Sequence, residues 1–138
     1  MRSKKIYIAG PMRGYPEFNF PAFASARDLL NSRGWDAISP ADMDIAIGFD
    51  PKQPHLATPE FLDAALRRDI DAILESQAIY MLKGWENSVG ARAEYWLARW
   101  RGIEIHFEPG AHEGDAQPMR TTLKDLIADS QQLKEVEA

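Results

Sequence analysis

The sequence predicts an α/β protein in which a small parallel sheet lies between layers of helices. Two observations support this prediction. Short apolar runs alternate along the chain with segments whose apolar residues recur every three to four positions, and glycine or proline separates many of these elements. Strands that alternate with helices in this way form parallel sheets covered on both faces.

Four short apolar runs are interpreted as strands. They are Ile6–Ala9, Trp35–Ser39, Ala78–Leu82 and Ile103–Phe107. The first run stops at Gly10-Pro11 and the second at Pro40, because glycine and proline interrupt regular structure. Together the runs predict a mostly parallel sheet of four to five strands in a flavodoxin/Rossmann-like three-layer fold.

Three segments between these strands have the apolar spacing of helices. They are 21–32, with Asn19 as a possible cap, a segment that Thr58 opens, and a segment from Ser88 to about Arg101. The second has apolar residues at Phe61, Leu62, Ala65, Leu66, Ile70, Ile73 and Leu74, which predict its buried face. The stretch 41–58 contains one glycine and two prolines and is predicted to be a long irregular loop.

Length and composition predict one folded domain and exclude several functional classes. Of the 138 residues, 1–108 are assigned to the domain and 109–138 to a linker and a C-terminal helix that opens at Thr122. The net charge of −5 argues against binding of a nucleic acid polymer, and the absence of cysteine excludes a disulfide framework or thiolate site. The apolar run after the basic N-terminus is too short for a signal peptide or membrane span, so we expect a cytoplasmic protein that binds no membrane.

Ligands of such sheets bind at the carboxyl ends of the strands, where the strand order reverses. The loops Gly10–Glu17 and Lys83–Ser88 are therefore expected to line the pocket. Neither a GxxxxGK[ST] loop nor a GxGxxG turn after the first strand is present, and the three histidines lie in separate segments without metal-ligand spacing. We expect a site with no metal and no cofactor.

Two stretches carry residues suited to anion binding. In Ile8–Tyr15, glycines allow close backbone approach and Arg13 can pair with an oxyanion, although a tight turn with a surface arginine is equally consistent. Ser88 is a candidate cap at a helix N-terminus, where anions bind, and Glu94 lies roughly 9 Å further along the helix axis. The alternative is a capping serine and a solvated glutamate.

A third stretch contributes a second acid. Asp69 lies between the apolar residues Leu66 and Ile70, so it borders the predicted buried face of its helix. A carboxylate in that position has to be paired or functional, because an isolated buried charge is costly. A salt bridge is one interpretation; the other is that two carboxylates converge on one pocket, an arrangement that suits glycosidic-bond cleavage.

Over residues 6–107, the order of these stretches resembles the nucleoside 2-deoxyribosyltransferase superfamily, which includes the 2′-deoxynucleoside 5′-monophosphate N-glycosidases. The run Tyr7–Pro11 is similar to that family's first strand and turn, and 10–14 to the arginine-bearing phosphate loop of the glycosidase branch. Arg68-Asp69-Ile70 and Ser88-x-Gly90-x-x-x-Glu94 match its two carboxylate motifs. The opening Ala-Gly-Pro-Met-Arg-Gly is also similar to a bacterial and phage branch.

The resemblance implies roles for particular residues. Glu94 would attack the anomeric carbon and form a covalent deoxyribosyl intermediate, which water or an incoming base would resolve, and Asp69 would orient the sugar. The substrate, a small nucleoside or nucleotide, would contact Tyr7, Gly10, Pro11, Met12, Arg13, Gly14, Ser88 and Gly90. A serine at position 88 resembles the nucleotide branch, because a hydroxyl can donate to a 5′-phosphate. Related sites are completed by a neighbouring subunit, which implies a homodimer or higher homo-oligomer.

Some features depart from the family pattern and keep alternatives open. Arg92 replaces a small residue, and the loop 83–87 lacks the usual aspartate pattern, so Trp85 could stack on a base or serve in packing. One alternative is a non-catalytic protein that binds or sequesters nucleotides on the same fold. Another is a partner-binding domain in which Trp96 and Trp100 form an interface.

Overall fold

The computed structural model describes residues 3–114, which form one sheet with helices on both of its faces. The strands are β1 (Lys5–Ala9), β2 (Asp36–Ile38), β3 (Ala78–Met81) and β4 (Glu104–Phe107). The helices are α1 (Phe20–Ser32), α2 (Pro40–Ala46), α3 (Pro59–Leu74) and α4 (Val89–Arg101). Short 3₁₀ turns occupy Pro16–Asn19, Pro54–Leu56 and Trp85–Asn87.

The sheet has the order β2-β1-β3-β4, and every neighbouring pair is parallel. Tyr7 of β1 lies opposite Ile79 of β3, and Ala9 lies opposite Met81. The chain leaves β1 towards one edge and later returns to its other side, so the strand order reverses between β1 and β3. The prediction of a small parallel Rossmann-like sheet is confirmed.

Alternation along β1 divides the core into two layers. Ile6 and Ile8 pack on one side of the sheet in a cluster with Phe23 of α1. Tyr7 and Ala9 point to the other side, where α3 and α4 cover them. All four residues are fully buried, and each isoleucine contributes about 1.5–3 kcal/mol through its burial.

Two predictions about local structure are wrong. Asn19 stands at the N-cap position of α1, but its side chain makes no capping hydrogen bond: its backbone is left-handed, with φ of 62°, and its side-chain amide donates to the carbonyl of Pro11 at 2.9 Å. The stretch 41–58 is not wholly irregular, because α2 continues from Pro40 to Ala46. Pro40 therefore begins a helix as well as ending the β2 segment, as proline at a first helical position commonly does.

The predicted buried face of α3 is only partly buried. Ile73 is fully enclosed against the sheet, whereas Leu62, Leu66, Ile70 and Leu74 are 37–59% exposed. These four leucine and isoleucine side chains form an apolar stripe along the outer side of the helix. On α4, Trp96 is 39% and Trp100 is 87% exposed. Exposed apolar side chains therefore lie on both α3 and α4.

The predicted C-terminal helix from Thr122 lies outside the described residues. Among residues 3–114, no helix combines the length and the apolar character that crossing a membrane requires.

Candidate active site

The loops that follow β1 and β3 lie side by side at the carboxyl edge of the sheet. Gly10 approaches Leu82 so closely that a Cβ atom on the glycine would lie 2.8 Å from the leucine Cβ. Further out, a Cβ on Gly84 would lie 2.6 Å from the hydroxyl oxygen of Tyr15. The two loops are therefore packed together at the point where the strand order reverses.

Tyr7 and Glu94 meet on the face of the sheet covered by α4. The tyrosine is fully buried in β1, and its hydroxyl donates a hydrogen bond to Oε2 of the glutamate. Burial raises the pKa of Glu94 to about 8; the hydrogen bond from Tyr7 opposes this rise, and the charge of Asp69 adds to it. Burial also raises the pKa of Tyr7 well above its ordinary value, so the phenol keeps its proton and remains a donor.

Asp69 is the second carboxyl group of this cluster. It lies on α3, and its negative charge raises the pKa of both Tyr7 and Glu94, which places it beside the tyrosine–glutamate pair. Burial raises the pKa of Asp69 itself to about 6, against the opposing charge of Arg68. Two carboxyl groups with raised pKa values therefore lie close together, a feature that is more common at functional sites than elsewhere.

A buried ion cluster extends this site towards α2. Nη2 of Arg68 donates to Oδ1 of Asp69 at 2.9 Å and to Oδ1 of Asp44 at 2.7 Å. Nε of the same arginine also donates to Oδ1 of Asp69, at 3.1 Å. The salt bridge that is one interpretation of Asp69 is thus present. Asp69 pairs with Arg68 and also lies close to Tyr7 and Glu94.

The N-terminus of α4 is built as its sequence predicts. The Oγ atom of Ser88 accepts a hydrogen bond from the backbone amide of Ala91 at 3.2 Å, so Ser88 caps the helix. Accepting this bond leaves the hydroxyl hydrogen of the serine free for another acceptor. Gly90 is exposed in the first turn, and the space where a Cβ would stand is open to 4 Å.

The loop after β1 presents residues of different accessibility. Pro11 is buried and Met12 half-buried, and Met12 packs against the cluster of apolar residues on the α1 side. Arg13 and Gly14 are exposed at the tip, and Gly14 has a φ of 83°, which favours glycine. The arginine is thus available to an anion at this edge of the sheet.

Trp85 serves in packing. It is only 4% exposed, its ring stacks at a tilt on Tyr95 with centroids 4.6 Å apart, and its Nε1 donates to the carbonyl of His112 at 2.7 Å. A base could not stack on a ring enclosed in this way. Arg92, the departure from the family pattern, is exposed on α4.

Asp44 is a site residue that the sequence analysis missed. It was assigned to an irregular loop, yet it lies in α2 and is 5% exposed. Ser39-Pro40-Ala41-Asp42 carries a helix-start signal, with serine at the cap position, proline in the first turn and an acid near the helix N-terminus. Within residues 3–114, no group of three histidine, aspartate or glutamate side chains is arranged to hold a metal ion.

These observations define the chain as a Rossmann-like α/β domain in which Tyr7, Asp69 and Glu94 form a cluster on the face of the sheet covered by α3 and α4. It belongs to the family described as "Domain of unknown function (DUF4406)", whose model matches residues 4–107. No curated protein matches the chain.

A solved structure described as 2-desoxiribosyltransferase from Leishmania mexicana has the same fold. It superposes with a TM-score of 0.54 at 22% sequence identity, over 75% of this chain. The chain spans 63% of the length of that protein.

Proposed function

We propose that the protein cleaves or transfers the N-glycosidic bond of a 2′-deoxynucleotide or deoxynucleoside. The observation that carries this proposal is the hydrogen bond from Tyr7 to Glu94 beside Asp69, on the face of the sheet covered by α4. The fold shared with 2-desoxiribosyltransferase from Leishmania mexicana supports it, as does the resemblance of the carboxylate motifs to the deoxyribosyltransferase superfamily. Assignment to the bacterial and phage branch stays a prediction.

In this proposal, the Glu94 carboxylate attacks C1′ of the sugar. A C1′–O bond forms, the C1′–N bond breaks, and the base leaves with the electron pair and takes up a proton. Water then displaces the glutamate at C1′ and loses a proton, which gives the free sugar and restores the carboxylate. If a second base replaces water, the outcome is base exchange.

Tyr7 and Asp69 have separate parts in this reaction. The tyrosine hydroxyl orients the carboxylate of Glu94 and lowers its pKa from the value that burial alone would give. Asp69 binds a sugar hydroxyl. Because its pKa is about 6, it exchanges protons near neutral pH.

The raised pKa of Glu94 has a consequence for the rate. With a pKa of about 8, about one molecule in ten carries the ionised glutamate at pH 7. Since the ionised form is the nucleophile, we expect kcat/KM to rise from pH 6 to about pH 9 and then to level off.

The 5′-phosphate of a nucleotide would bind at the edge formed by Arg13 and Ser88. The exposed guanidinium supplies positive charge, and the serine hydroxyl, already fixed by its capping bond, can donate to a phosphate oxygen. The backbone amides at the start of α4 would attract the same anion.

The test is release of free base from deoxynucleoside monophosphates, measured by chromatography. We expect wild type and Glu104→Gln, a control at an exposed glutamate on β4, to release base, and Glu94→Gln to lose at least a hundredfold in rate. Equal rates for wild type and Glu94→Gln would refute the assignment of Glu94. Thermal stabilisation by nucleotides without turnover would instead support the alternative of a nucleotide-binding protein.

We also propose that a second copy of the chain covers the exposed stripe on α3. The stripe borders Asp69, because Leu66 and Ile70 lie on either side of it in the sequence. Charge supports pairing of α3 with α4 of a second copy. Exposed acids lie on α3 and directly after it, at Glu60, Asp63, Asp71 and Glu75, around one exposed arginine, whereas α4 exposes Arg92 and Arg101. In a dimer with two-fold symmetry, α3 of each copy would lie against α4 of the other, so the charge pairing would occur twice.

Sedimentation equilibrium tests this assembly. We expect wild type to have twice the mass of one chain and Leu66→Glu to be monomeric, because Leu66 is 59% exposed within the stripe. Ile47→Glu, at an exposed apolar residue that follows α2 and is not part of the stripe, is the matched control and should remain dimeric. A monomeric wild type would contradict the proposal.

A further inference from the structure

Asp44 is a buried charge that the proposed reaction does not use. Among the residues that the structure describes, it is the only charged side chain in the buried class, at 5% exposure; the other buried polar residues are Ser39 and Ser76. Burial raises the pKa of Asp44, and the hydrogen bond from Arg68 opposes this rise. A buried carboxylate of this kind is retained only with a partner, because its desolvation is costly.

The partner of Asp44 is shared with the active site. A single nitrogen, Nη2 of Arg68, donates both to Asp44 and to Asp69. Both hydrogen bonds from Arg68 to Asp69 go to the same carboxylate oxygen, Oδ1. Asp44 on α2 therefore contacts the arginine that fixes the orientation of Asp69 on α3.

We propose that Asp44 is a positioning residue of this site and that it acts by sharing the Arg68 guanidinium with Asp69. Because the guanidinium bonds both aspartates, it keeps Oδ1 of Asp69 in place. It neutralises the charge of Asp69 only in part, since Asp44 shares it. A displacement of about 1 Å in a catalytic group costs roughly a hundredfold in rate, so the reaction depends on a fixed position of Asp69. This inference rests on the proposed function, in which Asp69 binds the sugar.

Because Asp44 and Asp69 share the Arg68 guanidinium, the charge of Asp44 should influence the pKa of Asp69. The groups that face Asp69 are Arg68 on its own helix, Asp44 from α2, Tyr7 from β1 and Glu94 from α4. Asp44 raises the pKa of Asp69 through its charge, whereas Arg68 lowers it. Without the charge of Asp44, Arg68 stabilises the ionised form of Asp69 more strongly, so the pKa of Asp69 should fall.

The experiment follows the Asp69 carboxyl carbon by NMR during a pH titration of wild type and Asp44→Asn. We expect the midpoint to fall from about 6 by roughly one pH unit. The matched control is Asp42→Asn, on the same helix: Asp42 also pairs with an arginine, Arg27, at 2.6 Å, but this pair lies away from Asp69. In the control, the midpoint of Asp69 should not move.

A purely structural role gives a different result. In that case Asp44→Asn and Asp42→Asn would both lower the melting temperature and leave the Asp69 titration unchanged, which would overturn the proposal. If Asp44→Asn does not fold, Arg68→Lys replaces it. Lysine keeps the charge but loses the fork that bonds both aspartates, so the midpoint of Asp69 should rise; an unchanged midpoint would overturn the proposal.

Activity provides a second readout that separates this inference from the proposed function. If wild type releases base, Asp44→Asn should lower kcat by at least tenfold with less than a threefold change in KM, and Asp42→Asn should change neither. An unchanged kcat would contradict the positioning role. If wild type releases no base, the proposed function fails, and the NMR titration still decides whether Asp44 controls Asp69.

Discussion

Replacing Tyr7 with phenylalanine should change how the reaction depends on pH rather than abolish it. The substitution keeps the fully buried ring and removes the hydroxyl that donates to Glu94. Because that hydrogen bond lowers the pKa of the glutamate, its loss should raise the pKa above about 8. A hydrogen bond to a charged group contributes about 1.5–3 kcal/mol, which corresponds to a rise of roughly one to two pH units.

The size of the effect follows from the ionised fraction of Glu94. At pH 7, this fraction should fall about 10- to 100-fold, and kcat/KM for base release should fall with it. At pH 10, the variant should recover about half or more of the wild-type rate, because the glutamate is then at least half ionised.

The assay is a kcat/KM profile between pH 6 and pH 10, with Tyr80→Phe as the matched control. Tyr80 is a buried tyrosine of the neighbouring strand that points to the opposite face of the sheet, so its profile should equal that of wild type. A loss for Tyr7→Phe that is the same at every pH, or a profile displaced towards acid, would refute the reasoning.

Three further predictions concern stability and specificity. Because the pKa of Glu94 is raised to about 8, the folded state holds a proton that the unfolded state releases, so the free energy of unfolding should fall between pH 6.5 and pH 8 by up to about 1.4 kcal/mol per pH unit. Urea titrations of Glu94→Gln should show no such fall. If the free energy of unfolding depended on pH equally in wild type and in this variant, the raised pKa of Glu94 would be contradicted. Arg13→Ala should raise KM for a deoxynucleoside monophosphate about 10- to 100-fold and leave KM for the nucleoside unchanged, and an equal effect on both would exclude a phosphate contact. Gly10→Ala should destabilise the fold by about 1–3 kcal/mol, because the new methyl group would meet Leu82, which is 1% exposed and cannot move aside; an unchanged urea midpoint would show that the loops can separate.

The sheet could be predicted from the sequence because its signals are local. Each strand is a short apolar run with a glycine or proline nearby, and the cap at Ser88 and the stop at Gly102 are single-residue signals that act within one turn. These signals do not depend on contacts with distant parts of the chain. For this reason they predict all four strands and three of the helices.

The contacts of the site depend on distant parts of the chain, and the sequence shows them less clearly. The carboxylates at 69 and 94 were identified through resemblance to a family, whereas the bond between Tyr7 and Glu94 joins residues 87 positions apart. Asp44 was missed because α2 has only seven residues and lies between proline-rich segments, and because only the fold reveals that Arg68 lies next to it. Similarly, helical spacing predicts a buried Leu66, which is 59% exposed, because periodicity shows which residues share a helix face but not whether that face is covered.

The most direct test of the central claim is to look for the sugar on Glu94. Wild type is mixed with a deoxynucleoside monophosphate, quenched in acid within milliseconds to seconds, digested, and measured by mass spectrometry. The proposed reaction predicts that the peptide containing Glu94 gains the mass of a deoxyribosyl phosphate group, and that Glu94→Gln shows no such gain. Base release by wild type with the adduct on a different residue would contradict the assignment of Glu94 as the nucleophile.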